Sequence, residues 1–199
     1  MLDIVRRQLQ QSLDTLTKVL HDNSVHQSVL EAATATADAM HNGRKLLVCG
    51  NGGSAADTQH VVAELVVRLT VDRPALRAIA LTTDSSIFTA IGNDYGFEHI
   101  FSRPVEALGQ PGDVLLAIST SGNSPNCIRA LERARGLGLT TIAFTGNGGG
   151  KMAPLADINV IVPCAVTMNI QESQLALEHI FCMLVERCYF GPDFDKQRQ

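Results

Sequence analysis

Long apolar runs are missing from this chain of 199 residues. None approaches the roughly 20 residues that a membrane-spanning helix requires. A secretory signal is missing too, because MLDIVRRQLQQSLDTL carries acidic residues and helical periodicity where a basic patch and an apolar block would stand. A cytoplasmic protein is therefore expected. The chain has no basic surplus: its formal charge of −4 leaves no electrostatic footprint for nucleic acid, so any anionic ligand has to be held locally. No two of the five cysteines, Cys49, Cys127, Cys164, Cys182 and Cys188, have CxxC spacing, and the odd, scattered set reads as reduced core residues. With no linker, low-complexity tract or internal repeat, one domain spanning 1–199 is expected.

What is present is 45% hydrophobic and 18% charged, the balance of a globular domain large enough to bury a sizeable core. Leu2, Val5, Leu9, Leu13, Leu16 and Leu20 recur at helical spacing over 2–22, and a second, Ala-rich helix is predicted over 24–41, ending at Asn42-Gly43. Short aliphatic segments follow at 45–49, 76–81, 113–118, 140–144 and 158–162, separated by helix-length stretches. That alternation predicts an α/β fold with a parallel sheet covered on both faces. Turns are expected at Gly92-Asn93-Asp94, Gln110-Pro111-Gly112, Gly136-Leu137-Gly138 and Gly146–Gly150. A last long helix is predicted from Ile170 to Tyr189, stopping near Gly191-Pro192 ahead of a loose polar tail.

Two loops at strand ends carry chemistry. In Ser119-Thr120-Ser121-Gly122-Asn123-Ser124-Pro125, Pro125 suits a first helical position and Ser124 an N-cap. Four hydroxyls, Ser119, Thr120, Ser121 and Ser124, then surround a helix N-terminus, where free N–H groups and the helix dipole attract an anion. This reads as a phosphate cradle without a cation; a serine-rich turn with one cap explains only Ser124 and Gly122. The other loop, Gly50-Asn51-Gly52-Gly53-Ser54-Ala55, also joins a strand to a helix and fits a G-x-G-x-x-A dinucleotide pattern, with Asp84 as the ribose-binding acid. That reading leaves the Ser119 loop without a purpose.

His60 and Glu64, four apart, share a face of the helix that Ser54 opens, and Gln171 and His179, eight apart, share a side of the last helix. Two imidazoles, a carboxylate and an amide suit a divalent ion such as zinc, with Gln an unusual ligand. The alternative is a solvated His/Glu face and an interface histidine.

The stretches CGNGGSAADTQH…AEL, TAIGNDYGFEHIFSRPVEALGQPGDVLLAISTSGNSPN, FTGNGGGKMAPLAD and IQE…H closely resemble the bacterial phosphoheptose isomerases (sedoheptulose 7-phosphate isomerases) of the sugar isomerase, or SIS, domain family, over about residues 2–190. The resemblance implies a single SIS domain with a five-stranded parallel sheet flanked by helices. It also implies a homotetramer, with the two helices of 1–42 used in assembly and active sites formed where subunits meet. The implied reaction converts sedoheptulose 7-phosphate to D-glycero-D-manno-heptose 7-phosphate, at the start of ADP-heptose synthesis for lipopolysaccharide or related glycans. Ser119, Thr120, Ser121 and Ser124 would hold the phosphate, while Asn51, Gly52, Ser54, Asp94 and Gln171 would line the sugar. Glu64 would move a proton between C1 and C2 through an enediol, with His179 handling protons on the oxygens or opening the ring. One zinc per subunit, on His60, Glu64, Gln171 and His179, would polarise the carbonyl.

The chain departs from the family pattern where Asn169 replaces the usual Arg and Gln174 the usual His, which is expected to alter substrate choice, anomer preference or rate. SIS relatives also include a non-enzymatic tetramer that binds a replication initiator and regulators that sense sugar phosphates. Retention of Glu64 and His179 together favours the enzyme.

Overall fold

Successive strand residues point to opposite faces of a sheet, and here both sets are apolar. The computed structural model describes residues 1–191 and 194. Five strands, β1 (Leu46–Gly50), β2 (Ala78–Ala80), β3 (Val114–Ser119), β4 (Thr140–Thr145) and β5 (Ile158–Ile161), form one parallel sheet in the order β2-β1-β3-β4-β5. Among the described residues seven α-helices surround it: α1 (Leu2–Leu20), α2 (Asn23–His41), α3 (Gly53–Val66), α4 (Ser85–Asp94), α5 (Ser102–Leu108), α6 (Pro125–Gly136) and α7 (Thr167–Phe190). Leu46, Val48, Leu116, Ile118, Ile142 and Phe144 pack with residues of α2, α3 and α7, while Leu47, Cys49, Leu115, Ala117 and Ala143 pack with residues of α4, α5 and α6. The result is the three-layer α/β domain expected.

The alternation also explains the smaller corrections. β2 is shorter than predicted because it is an edge strand that pairs with β1 alone. Gly92, Asn93 and Asp94 form the last turn of α4 rather than a loop, and the reversal falls on Gly96, whose φ of 92° suits glycine. α7 starts three residues before Ile170, at Thr167. Cys188 is exposed and Cys164 half-buried; the other three cysteines are core residues, and all five are free. Pro192 and the polar tail lie outside the described residues, apart from Phe194.

α1 buries only Thr15 and Val19. Its predicted apolar stripe faces outward: Leu2, Leu9 and Leu20 are 74%, 66% and 67% exposed. At the opposite end of the strands from the serine loops, Asp113 ties the sheet together. Its carboxylate accepts from Lys45 Nζ at 2.6 Å, from the Lys45 backbone N–H at 3.0 Å and from the Gln110 N–H at 2.8 Å.

Candidate active site

In the order β2-β1-β3-β4-β5, the connection after β1 rises to one face and the connection after β3 to the other. The loops diverge there, and open α/β sheets place ligands in that crevice, outside the carboxyl ends of the strands. Both loops singled out in the sequence leave these two adjacent strands. Asn51 from the first and Ser124 from the second line one cleft of about 260 Å³, together with Phe97, Glu98, Pro125 and Asn126. A larger cleft of about 410 Å³ shares none of these residues. Its Arg103 and Arg133 pair with Glu106, and its Arg129 with Glu132 and with Glu98 of the first cleft, so each guanidinium already has a carboxylate partner.

The glycines of the first loop have individual reasons. Gly52 caps α3 with φ 57°, a left-handed backbone. A Cβ on Gly50 would stand 2.7 Å from the Ser54 carbonyl oxygen, and one on Gly53 would stand 2.4 Å from the Gln171 amide. Gly50 and Gly53 thus admit the first turn of α3 and the side chain of Gln171. The G-x-G-x-x-A spacing is accounted for by this packing without a dinucleotide, and Asp84 is spent capping α4, accepting from the Ile87 N–H at 2.9 Å. Ser54 is buried in the first turn of α3.

In the second loop Ser124 occupies the N-cap position of α6, as predicted, but its side chain makes no capping bond. Ser124 Oγ instead lies 2.9 Å from Ser119 Oγ, which gathers two hydroxyls at the helix start. Ser119 is buried, Thr120 half-buried and Ser121 exposed. Gly122, with φ 63°, turns the chain so closely that its Cβ would lie 2.1 Å from the Gly149 carbonyl oxygen. The 146–150 loop backs this turn: the Gly146 N–H donates to the Thr120 carbonyl at 3.1 Å and the Met152 N–H to the Gly122 carbonyl at 2.9 Å.

The side chains of α3 and α7 meet along their packed faces. His60 Nε2 and His179 Nε2 are 2.7 Å apart with perpendicular rings, so one imidazole donates its proton to the other, and Glu64 Oε1 lies 3.6 Å from His60 Nε2. The three ligand atoms lie within 4.8 Å of one another, two nitrogens and an oxygen converging on one point. That donor set suits a borderline-soft divalent ion. Gln171 lies against Gly53 and donates its amide nitrogen to Asp57 Oδ2 at 3.0 Å, which leaves its oxygen outside that bond. Asp94 is not brought to this cluster: it lines a separate groove with Ile87, Tyr95 and Leu108, and accepts from Asn93 Nδ2 at 2.7 Å.

Sequence reading missed the residues that hold this geometry. Asp57 stands one turn before His60 on the same face of α3, a spacing that was available. Arg73 follows α3 in an irregular segment with no periodic signal. Its guanidinium donates to Glu186 Oε1 at 2.7 Å and to the carbonyls of Glu64 and Leu65 at 2.8 Å each, with Arg73 and Glu186 side chains both 1% exposed. One side chain thus caps α3 and ties it to α7. Asn169 is buried, donating to Ser12 Oγ of α1 at 3.0 Å, and Gln174 is fully buried.

Glu178 is fully buried between α7 and its neighbours, and neither carboxylate oxygen has a hydrogen-bond partner. Burial, and then the charge of Asp57, push its pKa up to about 8, so the group is mostly protonated at neutral pH. Burial raises Asp57 as well, against the opposing bond from Gln171. From the ordinary 4.5 up to about 8 the unfolded chain gives up the Glu178 proton while the folded chain keeps it. Stability therefore falls through that window as pH rises, by at most about 1.4 kcal/mol per unit. Glu178→Gln is expected to be increasingly more stable than wild type between pH 5 and pH 8 in urea unfolding. A difference that stays constant over that range would show that Glu178 ionises alike in both states.

The SIS domain family matches residues 9–146. The phosphoheptose isomerase of Aneurinibacillus thermoaerophilus is 46% identical over 192 residues, covering 96% of this chain and 97% of the relative. That of Aquifex aeolicus is 57% identical over 160 residues, covering 80% and 84%. Among solved structures, the phosphoheptose isomerase of Francisella tularensis superposes with a TM-score of 0.90 at 37% identity, covering 94% of this chain and 98% of that one. The enzyme of Neisseria gonorrhoeae gives 0.87 at 41% identity, covering 92% and 97%. Fold, site and relatives agree, and the chain belongs to the SIS domain family, on its phosphoheptose isomerase branch.

Proposed function

We propose that this protein isomerises sedoheptulose 7-phosphate to D-glycero-D-manno-heptose 7-phosphate through an enediol, a step toward ADP-heptose for lipopolysaccharide or a related glycan. The observation that carries the reading is the convergence of His60, Glu64 and His179 on two helices that meet at the first loop through Gly53 and Gln171, in a chain that also has a hydroxyl-rich helix start after the neighbouring strand. A sugar sensor needs the second feature and has no chemical use for the first. The reading is supported by the relatives named phosphoheptose isomerase along nearly the whole chain.

In this mechanism Ser119, Thr120, Ser121, Ser124 and the first N–H groups of α6 hold the phosphate. Asn51, Gly52 and Ser54 line the carbon chain, with Gln171 near the reacting end; Asp94, remote from this cluster within one chain, would act from a neighbouring subunit. Glu64 takes the proton from C1 and returns it to C2, and His179 moves protons on the O1 and O2 oxygens. His60, Glu64, His179 and the Gln171 oxygen would hold one zinc ion per subunit, which supplies Lewis-acid polarisation of the carbonyl when bound. A cytoplasmic homotetramer completes the reading, and the outward leucines of α1 offer an apolar interaction face for that assembly.

Incubation of the purified protein with sedoheptulose 7-phosphate, followed by carbon NMR with zinc added or chelated, is expected to show the aldose product. Binding of the sugar phosphate without turnover under every metal condition would place the protein among the sugar-phosphate regulators.

A further inference from the structure

Asn51 and Asn126 belong to different loops, one after β1 and one in the first turn of α6, and their amides are paired face to face. Asn51 Nδ2 donates to Asn126 Oδ1 at 2.8 Å, and Asn126 Nδ2 donates to Asn51 Oδ1 at 2.8 Å. The orientation is not arbitrary. Asn126 is 1% exposed, and its Oδ1 also accepts from the Cys127 backbone N–H at 2.9 Å. That bond fixes which end of the Asn126 amide is oxygen, and the pairing then fixes the Asn51 amide in turn. Asn51 Nδ2 also approaches Cys127 Sγ at 3.8 Å, and its Oδ1 keeps one lone pair outside the pair, held in a set direction at the cleft it shares with Ser124.

The two loops otherwise rest on different layers. α3 packs on one face of the sheet and α6 on the other, so beyond the Gly50–Ile118 pairing of β1 with β3 the helix layers do not tie the loops to each other. The amide pair spans that gap. Asn126 meets the cleft with only 1% of its surface exposed and both ends of its amide are bonded to Asn51, so it acts through Asn51 rather than on substrate.

We propose that Asn126 is a positioning residue: its paired amide latches the Asn51 loop to the phosphate loop and so registers the reacting carbons of a phosphate-anchored sugar against Glu64 and His179. The inference rests on the isomerase reading. Loss of registration lowers kcat more than it weakens binding, because the phosphate still docks while the reacting atoms are misplaced, and an error of about 1 Å can cost about 100-fold.

Two variants test this beside wild type on sedoheptulose 7-phosphate. Asn126→Ala is expected to lose at least about 10-fold in kcat with KM changed by less than about 3-fold. Asn126→Asp is nearly isosteric, and its ionised carboxylate sets an oxygen against Asn51 Oδ1. Once protonated it donates there and rebuilds both bonds. Its kcat relative to wild type is therefore expected to rise as pH falls, measured where thermal melts show both proteins folded. A kcat for both variants within about twofold of wild type, a loss confined to KM, or an Asn126→Asp ratio flat with pH would overturn the latch. If wild type itself does not turn over, the isomerase reading fails and the latch is judged by hydrogen exchange. At least about 10-fold faster exchange of the 119–124 amides in Asn126→Ala upholds it, and unchanged exchange overturns it.

Discussion

Glu64→Gln is expected to reduce turnover of sedoheptulose 7-phosphate by about 10²–10⁴-fold, the usual contribution of a positioned acid–base group. The amide matches the carboxylate in shape but cannot accept the proton from C1. The fold has little reason to respond, since the Glu64 side chain makes no tight bond, its nearest charged partner being His60 at 3.6 Å. Wild type run in heavy water should carry deuterium at C2 of the product, as an enediol exchanges its proton with solvent on the base. The variant should show neither product nor label while still binding sugar phosphate in a titration. Activity within about 10-fold of wild type would remove Glu64 from the role of base and leave the histidine pair to supply it.

Arg73→Met is expected to cost about 3–5 kcal/mol, because it strands the buried Glu186 carboxylate without its partner. The carbonyls of Glu64 and Leu65 lose a donor in the same step. For a chain of this size each kcal/mol moves the melting temperature by about 2–4 °C, so a drop of about 6–20 °C should appear in a thermal melt. Combining Arg73→Met with Glu186→Leu should recover part of that loss, since removal of both charges leaves no unpaired ion. A single variant that melts within 2 °C of wild type would mean that water reaches Glu186 and that the pair is not a clamp. The chemistry depends on this clamp, which holds α3, with His60 and Glu64, against α7, with His179.

The layers were legible in the sequence because aliphatic segments and amphipathic stretches alternate, and a parallel sheet buried on both faces has few other ways to be written. The two loops were legible for a related reason: four hydroxyls gathered at one helix start exceed what a cap needs, and glycines gathered at a strand end mark close approaches of the backbone. His60, Glu64 and His179 showed only as helical spacings, and their meeting at 2.7–3.6 Å depends on how two distant helices cross. Asp57, Arg73 and Asn126 were hidden because each works through a partner at least 75 positions away, at Gln171, Glu186 and Asn51. A single polar residue carries no periodicity, so nothing local marks it. The stripe on α1 misled in the opposite sense, since regular leucine spacing reports an apolar face without saying what covers it.

The Lys45–Asp113 tie sits where the strands begin, and the two loops assigned to the phosphate and the sugar sit where β1 and β3 end. Descendants of this chain can accordingly rewrite the loops after β1 and β3 without touching the joint that keeps the strands aligned. Inheritance acts on the two ends separately: one is free to explore new sugars, while the other preserves the frame in which those trials are made.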